Sequence, residues 1–310
     1  MSPGVDARRP APVHRLMAAG RVLELGPKPW LMGIVNASPD SFSDGGRRPT
    51  LDAQAQLGEQ LLAAGADVLD IGGESATTGR PAVPVEEELL RVVPLVKRLA
   101  GDLGAIVSVD TYKPPVARAA IAAGASIVND VSGLRDPQLA SVCAQTGAAL
   151  VVMHTRAAPR ERVQDADLYE DITAEVIEFL RARIGVALGA GMAAEQLLVD
   201  PGPDFAKTPA QTIRLLSELD RLHELDRPLL MAISRKDFVG ALTGRAPRER
   251  LAGTLAALAH GVDAGAHVFR VHDVAAAADF LAVRAALSGA EEPSRDLALA
   301  DELRHDRLPG

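Results

Sequence analysis

The sequence predicts a single-domain α/β protein folded as a (β/α)8 TIM barrel. Eight short apolar runs alternate along the chain with eight longer stretches rich in alanine and leucine. Runs of this kind are typical of strands buried on both faces, and the longer stretches have the length of helices. Eight strand-helix units are the number that closes a barrel. A doubly wound open sheet shows the same alternation, but no Gly-x-Gly-x-x-Gly turn follows the first strand.

The apolar runs mark the strands, and proline and glycine mark the ends of the helices. We expect strands at residues 31–35, 68–71, 105–109, 126–128, 149–153, 197–199, 228–233 and 267–271. We expect helices near residues 51–64, 86–100, 114–123, 136–146, 170–190, 209–220, 248–263 and 274–287. Pro114, Pro137 and Pro209 suit the first turn of a helix, and glycine after several helices supplies a left-handed stop.

The flanks of the repeating pattern divide the chain into three parts. Residues 1–29 are an N-terminal extension, in which residues 1–12 are rich in proline and arginine and are expected to be disordered. The rest of this extension predicts a short hairpin through residues 21–25 that closes one end of the core. Residues 30–288 form the barrel, and residues 289–310 are a polar C-terminal tail.

Composition narrows the classes of partner. The chain has 33 Lys and Arg against 41 Asp and Glu, a net charge of −8, which argues against nucleic acid or an anionic membrane surface. Cys143 is the single cysteine and cannot form an internal disulfide, which favours a reducing cytoplasm. No apolar run approaches the ~18 residues of a membrane span. We therefore expect a cytoplasmic protein that acts on small molecules.

Polar side chains follow the predicted strands, at the end where a barrel places its chemistry. They are Asn36, Asp70, Asp110, Asn129, Asp200, Ser234, Lys236, Arg270 and His272. Any single carboxylate of this kind is explained as well by a helix cap or a loop hydrogen bond, and Asp130 and Asp273 favour that explanation. The whole set is costly to desolvate without a ligand, so together these residues predict a binding site.

The residue types in this set fit a flat heterocycle and an anion. Aspartate and asparagine accept and donate hydrogen bonds along a ring edge that carries amide and amino groups. The planar guanidinium of Arg270 can stack on such a ring or grip an anion. Arg270 and His272, with a metal near Asn36, suit a pyrophosphate. The polar, glycine-rich stretch at residues 36–46 predicts a long loop beside this site.

Seven motifs, in order and at barrel spacing, resemble those of the dihydropteroate synthases, which are pterin-binding barrels of folate biosynthesis. They are MGIVN and PDSFSDGG within residues 32–46, DIGGES at 70–75, SVDT at 108–111, VND at 128–130, DPG at 200–202, SRK at 234–236 and RVHDV at 270–274. The resemblance runs from about residue 31 to residue 287, which is most of the chain.

The resemblance implies an enzyme that joins 6-hydroxymethyl-7,8-dihydropterin pyrophosphate to p-aminobenzoate, with Mg²⁺ and as a homodimer. It implies that Asp110, Asn129 and Asp200 hold the pterin edge, with Asp70 supporting them, Lys236 beside the ring and Arg270 stacked over it. It implies that Asn36 binds Mg²⁺, that His272 and Arg270 hold the pyrophosphate, and that Ser234, Phe205 and Lys236 border the p-aminobenzoate. Lys236, Arg270 and Asp44 are then the catalytic candidates, with Asp44 on a loop that closes over the site.

Two departures from the family pattern leave alternatives open. Thr77 stands where the second loop usually has arginine, and Arg80 is the nearest replacement. Asp204 replaces a glycine beside the expected p-aminobenzoate pocket and adds negative charge there. The alternatives are a homologue that binds pterin without synthase activity and a pterin-binding methyl-transfer domain. If the charge of Asp204 repels the substrate carboxylate, Asp204→Gly raises the affinity for p-aminobenzoate.

Overall fold

The computed structural model describes residues 12–37, 50–74, 81–300 and 303. The chain enters through an antiparallel hairpin of β1 (His14–Ala18) and β2 (Arg21–Leu25), as the sequence predicts. The segment expected to be disordered falls outside the described residues, apart from Pro12.

Within the described residues, eight parallel strands then alternate with helices. In chain order they are β3 (Trp30–Asn36), α1 (Leu51–Ala63), β4 (Val68–Gly72), α2 (Val85–Val96), β5 (Val107–Asp110), α3 (Pro114–Ala122), β6 (Ile127–Asp130), α4 (Gln138–Thr146), β7 (Ala149–Met153), α5 (Ile172–Gly189), β8 (Leu197–Asp200), α6 (Pro209–Ser217), β9 (Leu230–Met231), α7 (Asp237–Thr243), α8 (Leu251–Asp263), β10 (Val268–Val271) and α9 (Val274–Ser288). A π-helical segment, Lys97–Asp102, continues α2.

The eight strands form the predicted barrel. Hydrogen bonds join them in the order β8-β7-β6-β5-β4-β3-β10-β9. One parallel bridge between Val199 and Leu229 brings the two remaining edges together. The strand ends that were predicted to share a mouth therefore do share one.

The seventh barrel strand is shorter than the sequence predicts. The strand covers only Leu230–Met231, with one further bridge at Leu229, rather than residues 228–233. Beyond the strand, the N–H of Arg235 donates to the hydroxyl of Thr254, 3.0 Å away. The backbone of Arg235 is left-handed, with φ of 60°, and it leads directly into α7, which the sequence analysis did not predict.

The hairpin fills the amino-terminal end of the barrel. Its buried side chains, Leu16, Leu23 and Leu25, pack with inward-facing strand residues such as Met32 and Val268. A larger aliphatic core lies between the strands and the helices. Because apolar packing closes this end, the polar side chains gather at the opposite, carboxyl-terminal end. In the described part of the chain, no helix is long and apolar enough to span a bilayer.

A histidine fixes the hairpin end of the barrel to the chain before it. The Nδ1 atom of His267 accepts a hydrogen bond from the N–H of Leu229 at 3.1 Å. Its Nε2 atom therefore carries the proton and donates to the carbonyl of Pro12 at 2.8 Å. Burial, reinforced by His14 and His223, lowers the pKa of His267 to about 4.

We expect stability to fall as the pH is lowered from 7 to 5. The unfolded chain protonates His267 near pH 6.5, whereas the folded chain does so only near pH 4, so unfolding takes up a proton between these values. This difference contributes about 2 kcal/mol between pH 7 and pH 5. Urea unfolding at both pH values should show a smaller loss for His267→Asn than for the wild type, and equal losses would contradict the assignment.

Candidate active site

The carboxyl ends of neighbouring strands place the predicted residues side by side. Asn36 pairs in register with Gly72, Gly72 with Asp110, and Asp110 with Asn129. Asp200 ends β8 beside Met153 on β7. The hydrogen-bonded pairing of the strands thus places residues that are far apart in sequence side by side in one polar rim.

Arg270 is the centre of this rim. Its Nε donates to Oδ2 of Asp70 at 2.6 Å, and its Nη2 donates to Oδ2 of Asp110 at 2.9 Å. Asn129 Nδ2 donates to the same oxygen of Asp70 at 3.2 Å. Asp70 is fully buried, and its Oδ1 has no hydrogen-bond partner among the described residues. A buried acceptor without a partner indicates a network that a ligand completes.

Burial also perturbs the second carboxylate of the rim. It raises the pKa of Asp110 to about 7, and the negative charge of Asp70 acts in the same direction, whereas Arg270 lowers it. Two carboxylates that share one guanidinium are balanced only in part. A donor that faces Asp110 would therefore stabilise its charged form.

The loop after β8 is held by a buried lysine. Lys207 Nζ lies 2.8 Å from Nδ1 of His154 and donates to the carbonyls of Gly202, at 2.9 Å, and Phe205, at 3.0 Å. Burial lowers the pKa of Lys207 to about 7. The N–H of Gly202 donates to Oδ1 of Asp200 at 2.7 Å. Gly202 has φ of +66°, and a Cβ there would lie 2.1 Å from the carbonyl oxygen of His154, so only glycine fits.

Lys236 and Phe205 face each other across the mouth. The Nζ atom of Lys236 lies 4.3 Å from the centroid of the Phe205 ring, which is a cation–π contact. Burial lowers the pKa of Lys236, and the carboxylates of Asp204 and Asp200 raise it. The two carboxylates thus oppose the effect of burial on the Lys236 ammonium beside the ring.

Ser234 orients the imidazole of His272. The hydroxyl oxygen accepts the backbone N–H of His272 at 3.2 Å and lies 2.9 Å from its Nδ1. When this hydroxyl donates to Nδ1, the imidazole proton lies on Nε2. Desolvation, together with Arg270 and Arg235, lowers the pKa of His272 to about 4. A lowered pKa favours the neutral imidazole at pH 7.

A cavity of about 320 Å³ opens on this mouth. Asp110, Phe205 and Lys236 line it, together with Glu74 and Arg160, among others. The other predicted side chains, Asn36, Asp70, Asn129, Asp200, Ser234, Arg270 and His272, are not in its lining. Asp44, Thr77 and Arg80 lie outside the described residues.

A cluster of ionised residues that the sequence analysis missed joins three loops beside the cavity. Lys113 Nζ contacts Oε2 of Glu74 at 2.8 Å and also pairs with Glu88. The other oxygen of Glu74 accepts the Tyr112 hydroxyl at 3.0 Å and lies 3.2 Å from Arg160. Glu74 stands within the quoted DIGGES motif, but no spacing in the sequence pairs it with residues on two later loops.

The described residues supply little of a metal site by themselves. They contain no group of three or more His, Cys, Asp or Glu side chains that could hold a metal ion. The half-buried Asn36 offers one amide oxygen at the end of β3. Mg²⁺ commonly takes few protein ligands and completes its shell with phosphate oxygens and water. This donor set therefore fits a metal that arrives with a pyrophosphate.

Comparisons with known proteins agree with this geometry. The family model of the pterin binding enzymes matches residues 32–272. The dihydropteroate synthase of Escherichia coli K12 is 40% identical over 281 residues, which cover 91% of this chain and 99% of that protein. A solved Xanthomonas albilineans dihydropteroate synthase with 4-aminobenzoic acid is 47% identical, with a TM-score of 0.82 over 89% of this chain and 99% of that one. The same enzyme in complex with 7,8-dihydropteroate is 46% identical, with a TM-score of 0.79 over 88% and 98% of the two chains.

The chain therefore belongs to the pterin-binding enzymes and, within them, to the dihydropteroate synthases. The fold and the strand-end positions predicted from the sequence agree with this membership.

We expect Lys113→Met to destabilise the protein by about 3–5 kcal/mol, because it leaves the carboxylates of Glu74 and Glu88 buried without their shared cation. Urea unfolding measures the change. The exposed Lys97→Met is the control, with an expected change within about 0.5 kcal/mol. Equal effects of the two substitutions would contradict the role of the cluster.

Proposed function

We propose that this chain is a transferase that condenses 6-hydroxymethyl-7,8-dihydropterin pyrophosphate with p-aminobenzoate to 7,8-dihydropteroate and pyrophosphate. The observation that carries the proposal is the Arg270–Asp70–Asp110 network at the mouth of the barrel. It presents acceptors for a nitrogen-rich ring beside a cation for an anion. Relatives with the same fold are solved with 4-aminobenzoic acid and with 7,8-dihydropteroate.

The rim supplies the hydrogen-bond partners that a pterin edge requires. The carboxylates of Asp110 and Asp200 accept the amino and ring N–H groups, and the amide of Asn129 pairs with the ring as well. Asp70 holds Asn129 and Arg270 in place. Because Arg270 uses its edge for the two carboxylates, its planar face is left for stacking on the ring.

The reaction requires charge stabilisation rather than a covalent nucleophile. The bond between the pterin methylene carbon and the pyrophosphate oxygen breaks, and its electron pair leaves with the oxygen. The lone pair of the aromatic amine forms the new C–N bond, and the amine then loses a proton to water. Arg270 and the Nε2–H of His272 stabilise the departing anion, while Lys236 and Phe205 position the acceptor. Ser234 contributes by orienting His272.

We include Mg²⁺ and the loop residue Asp44 in this proposal. Asn36 would hold the metal together with pyrophosphate oxygens and water. Bound there, Mg²⁺ would neutralise leaving-group charge. The carboxylate of Asp44 would stabilise the developing pterin cation once its loop lies over the ring.

We further propose a cytoplasmic homodimer that associates through the outer helices. Support comes from exposed apolar side chains on α7 and α9. Leu242, Val283 and Leu287 are 69%, 61% and 84% exposed. Both helices pack against α8, and large apolar side chains exposed on α7 and α9 favour a protein–protein contact over solvent.

The function is tested by incubating the purified protein with the pterin pyrophosphate, p-aminobenzoate and Mg²⁺. We expect equal amounts of dihydropteroate and pyrophosphate. Pterin binding without product would overturn the proposal in favour of a binding protein, the candidate that the departure at Thr77 favours. Omission of Mg²⁺ should slow product formation.

We expect Asp200→Asn to weaken pterin binding by about 10- to 100-fold, because a charged acceptor for the ring edge is lost. Titration calorimetry with the pterin measures the change. Asp226→Asn is the control, because Asp226 is 86% exposed and precedes the strand at the opposite end of the barrel. Unchanged affinity in Asp200→Asn would remove Asp200 from the pterin site.

A further inference from the structure

Asp204, which replaces the family glycine, connects three elements. Its Oδ2 accepts the backbone N–H of Asp237, the first residue of α7, at 2.5 Å. Its Oδ1 accepts the hydroxyl of Thr212 on α6 at 3.1 Å, and the same hydroxyl oxygen accepts the N–H of Asp204 at 3.1 Å. The aspartate thus ties the loop after β8 to two helices.

The helix that Asp204 reaches has no cap of its own. Lys236 stands at the N-cap position of α7, and its side chain makes no capping hydrogen bond. Asp204 supplies that bond from another loop, where its negative charge also meets the positive end of the helix. The carboxylate is therefore directed at the α7 backbone, which argues against a charge that simply repels a substrate.

The backbone of Asp204 is in a conformation that costs free energy for a residue other than glycine. Asp204 has φ of +65°, a left-handed conformation that glycine adopts freely and that other residues adopt at a cost in free energy. The hydrogen bonds of its side chain to Thr212 and to the N–H of Asp237 offset this cost. The two ends of the tie are adjacent in sequence to Phe205 and Lys236, which face each other at 4.3 Å in the cavity wall.

We propose that Asp204 is a positioning residue for the acceptor amine, an inference that rests on the proposed function. By joining its own loop to the start of α7, it fixes the positions of Phe205 and Lys236, which together border the site of the aromatic acceptor. The acceptor site of this chain is thus braced by a side chain in place of the family glycine.

The test compares Asp204→Gly, which keeps the left-handed backbone and removes the tie, with Asp204→Asn, which keeps a carbonyl acceptor and tolerates the same backbone. Asp226→Gly is the matched control, because Asp226 is also left-handed, with φ of 50°, and lies before β9, remote from the cavity. The readouts are hydrogen exchange at the amide of Asp237 and steady-state kinetics with both substrates.

In Asp204→Gly we expect exchange at Asp237 to accelerate at least tenfold and KM for p-aminobenzoate to rise about tenfold. The kcat and the KM for the pterin pyrophosphate should stay within twofold in this variant. In Asp204→Asn, the exchange rate at Asp237 and the KM for p-aminobenzoate should lie close to the wild-type values. Asp226→Gly should change neither the exchange rate nor this KM. An unchanged exchange rate at the amide of Asp237 would show that Asp204 does not hold the start of α7. An unchanged or lower KM for p-aminobenzoate would overturn the positioning role of Asp204.

These failures differ from a failure of the proposed function. A wild type that makes no dihydropteroate overturns that function and, with it, the acceptor role of Asp204. The exchange experiment needs no turnover and still decides whether Asp204 holds α7. An active wild type with an unaffected Asp204→Gly variant overturns the Asp204 inference alone.

Discussion

The contact of one guanidinium with two carboxylates is the interaction on which the barrel mouth depends. Asp70 and Asp110 lie on the adjacent strands β4 and β5, and Arg270 lies on β10, which β3 separates from β4. The guanidinium of Arg270 is 2.6 Å from Asp70 and 2.9 Å from Asp110. Without that cation, two carboxylates of like charge would have to coexist beneath the rim, and one would be driven to bind a proton. With it, both carboxylates have a cation within hydrogen-bonding distance. In the proposed function, the planar face of the same guanidinium stacks on the pterin ring, so this one contact would serve both the ring edge and the ring face.

The fold separates the apolar side chains at one end of the barrel from the polar side chains at the other. The hairpin seals the lower end with leucine side chains, so the polar groups that the strands carry are confined to the upper end. There the loops do more than cover the site. Lys207 donates hydrogen bonds to two carbonyls and contacts a histidine beneath the loop after β8. Glu74 accepts hydrogen bonds from Tyr112 and Lys113 on one later loop and pairs with Arg160 on another. The loops beside the proposed substrate site are therefore held in place by these hydrogen bonds.

The sequence predicted what depends on local pattern and missed what depends on contact between distant loops. Apolar runs and helix stops were sufficient to predict the eight barrel units. Polar residues at the strand ends were sufficient to predict that Asp110, Asn129 and Arg270 share one rim. The short β9 was not predicted, because the apolar run at residues 228–233 gives no sign that its last residues lie outside the strand. The Glu74–Lys113 pair and the direction of the Asp204 carboxylate likewise follow from three-dimensional packing. A glycine-to-aspartate change beside a carboxylate-binding pocket suggested repulsion, whereas the structure directs that charge to the N–H of Asp237.

The most direct test of the account is a double-mutant cycle on the central pair, with Arg270→Met, Asp70→Asn and the double variant compared by urea unfolding. If Arg270 is the charge that Asp70 requires, its removal should cost about 3–5 kcal/mol beside the carboxylate and less beside the amide, where Asp110 alone still loses its cation. The interaction energy should then exceed about 2 kcal/mol. Two single effects that add to within about 0.5 kcal/mol would show that the buried carboxylate is stabilised by something other than Arg270, and would contradict the account of the site given above.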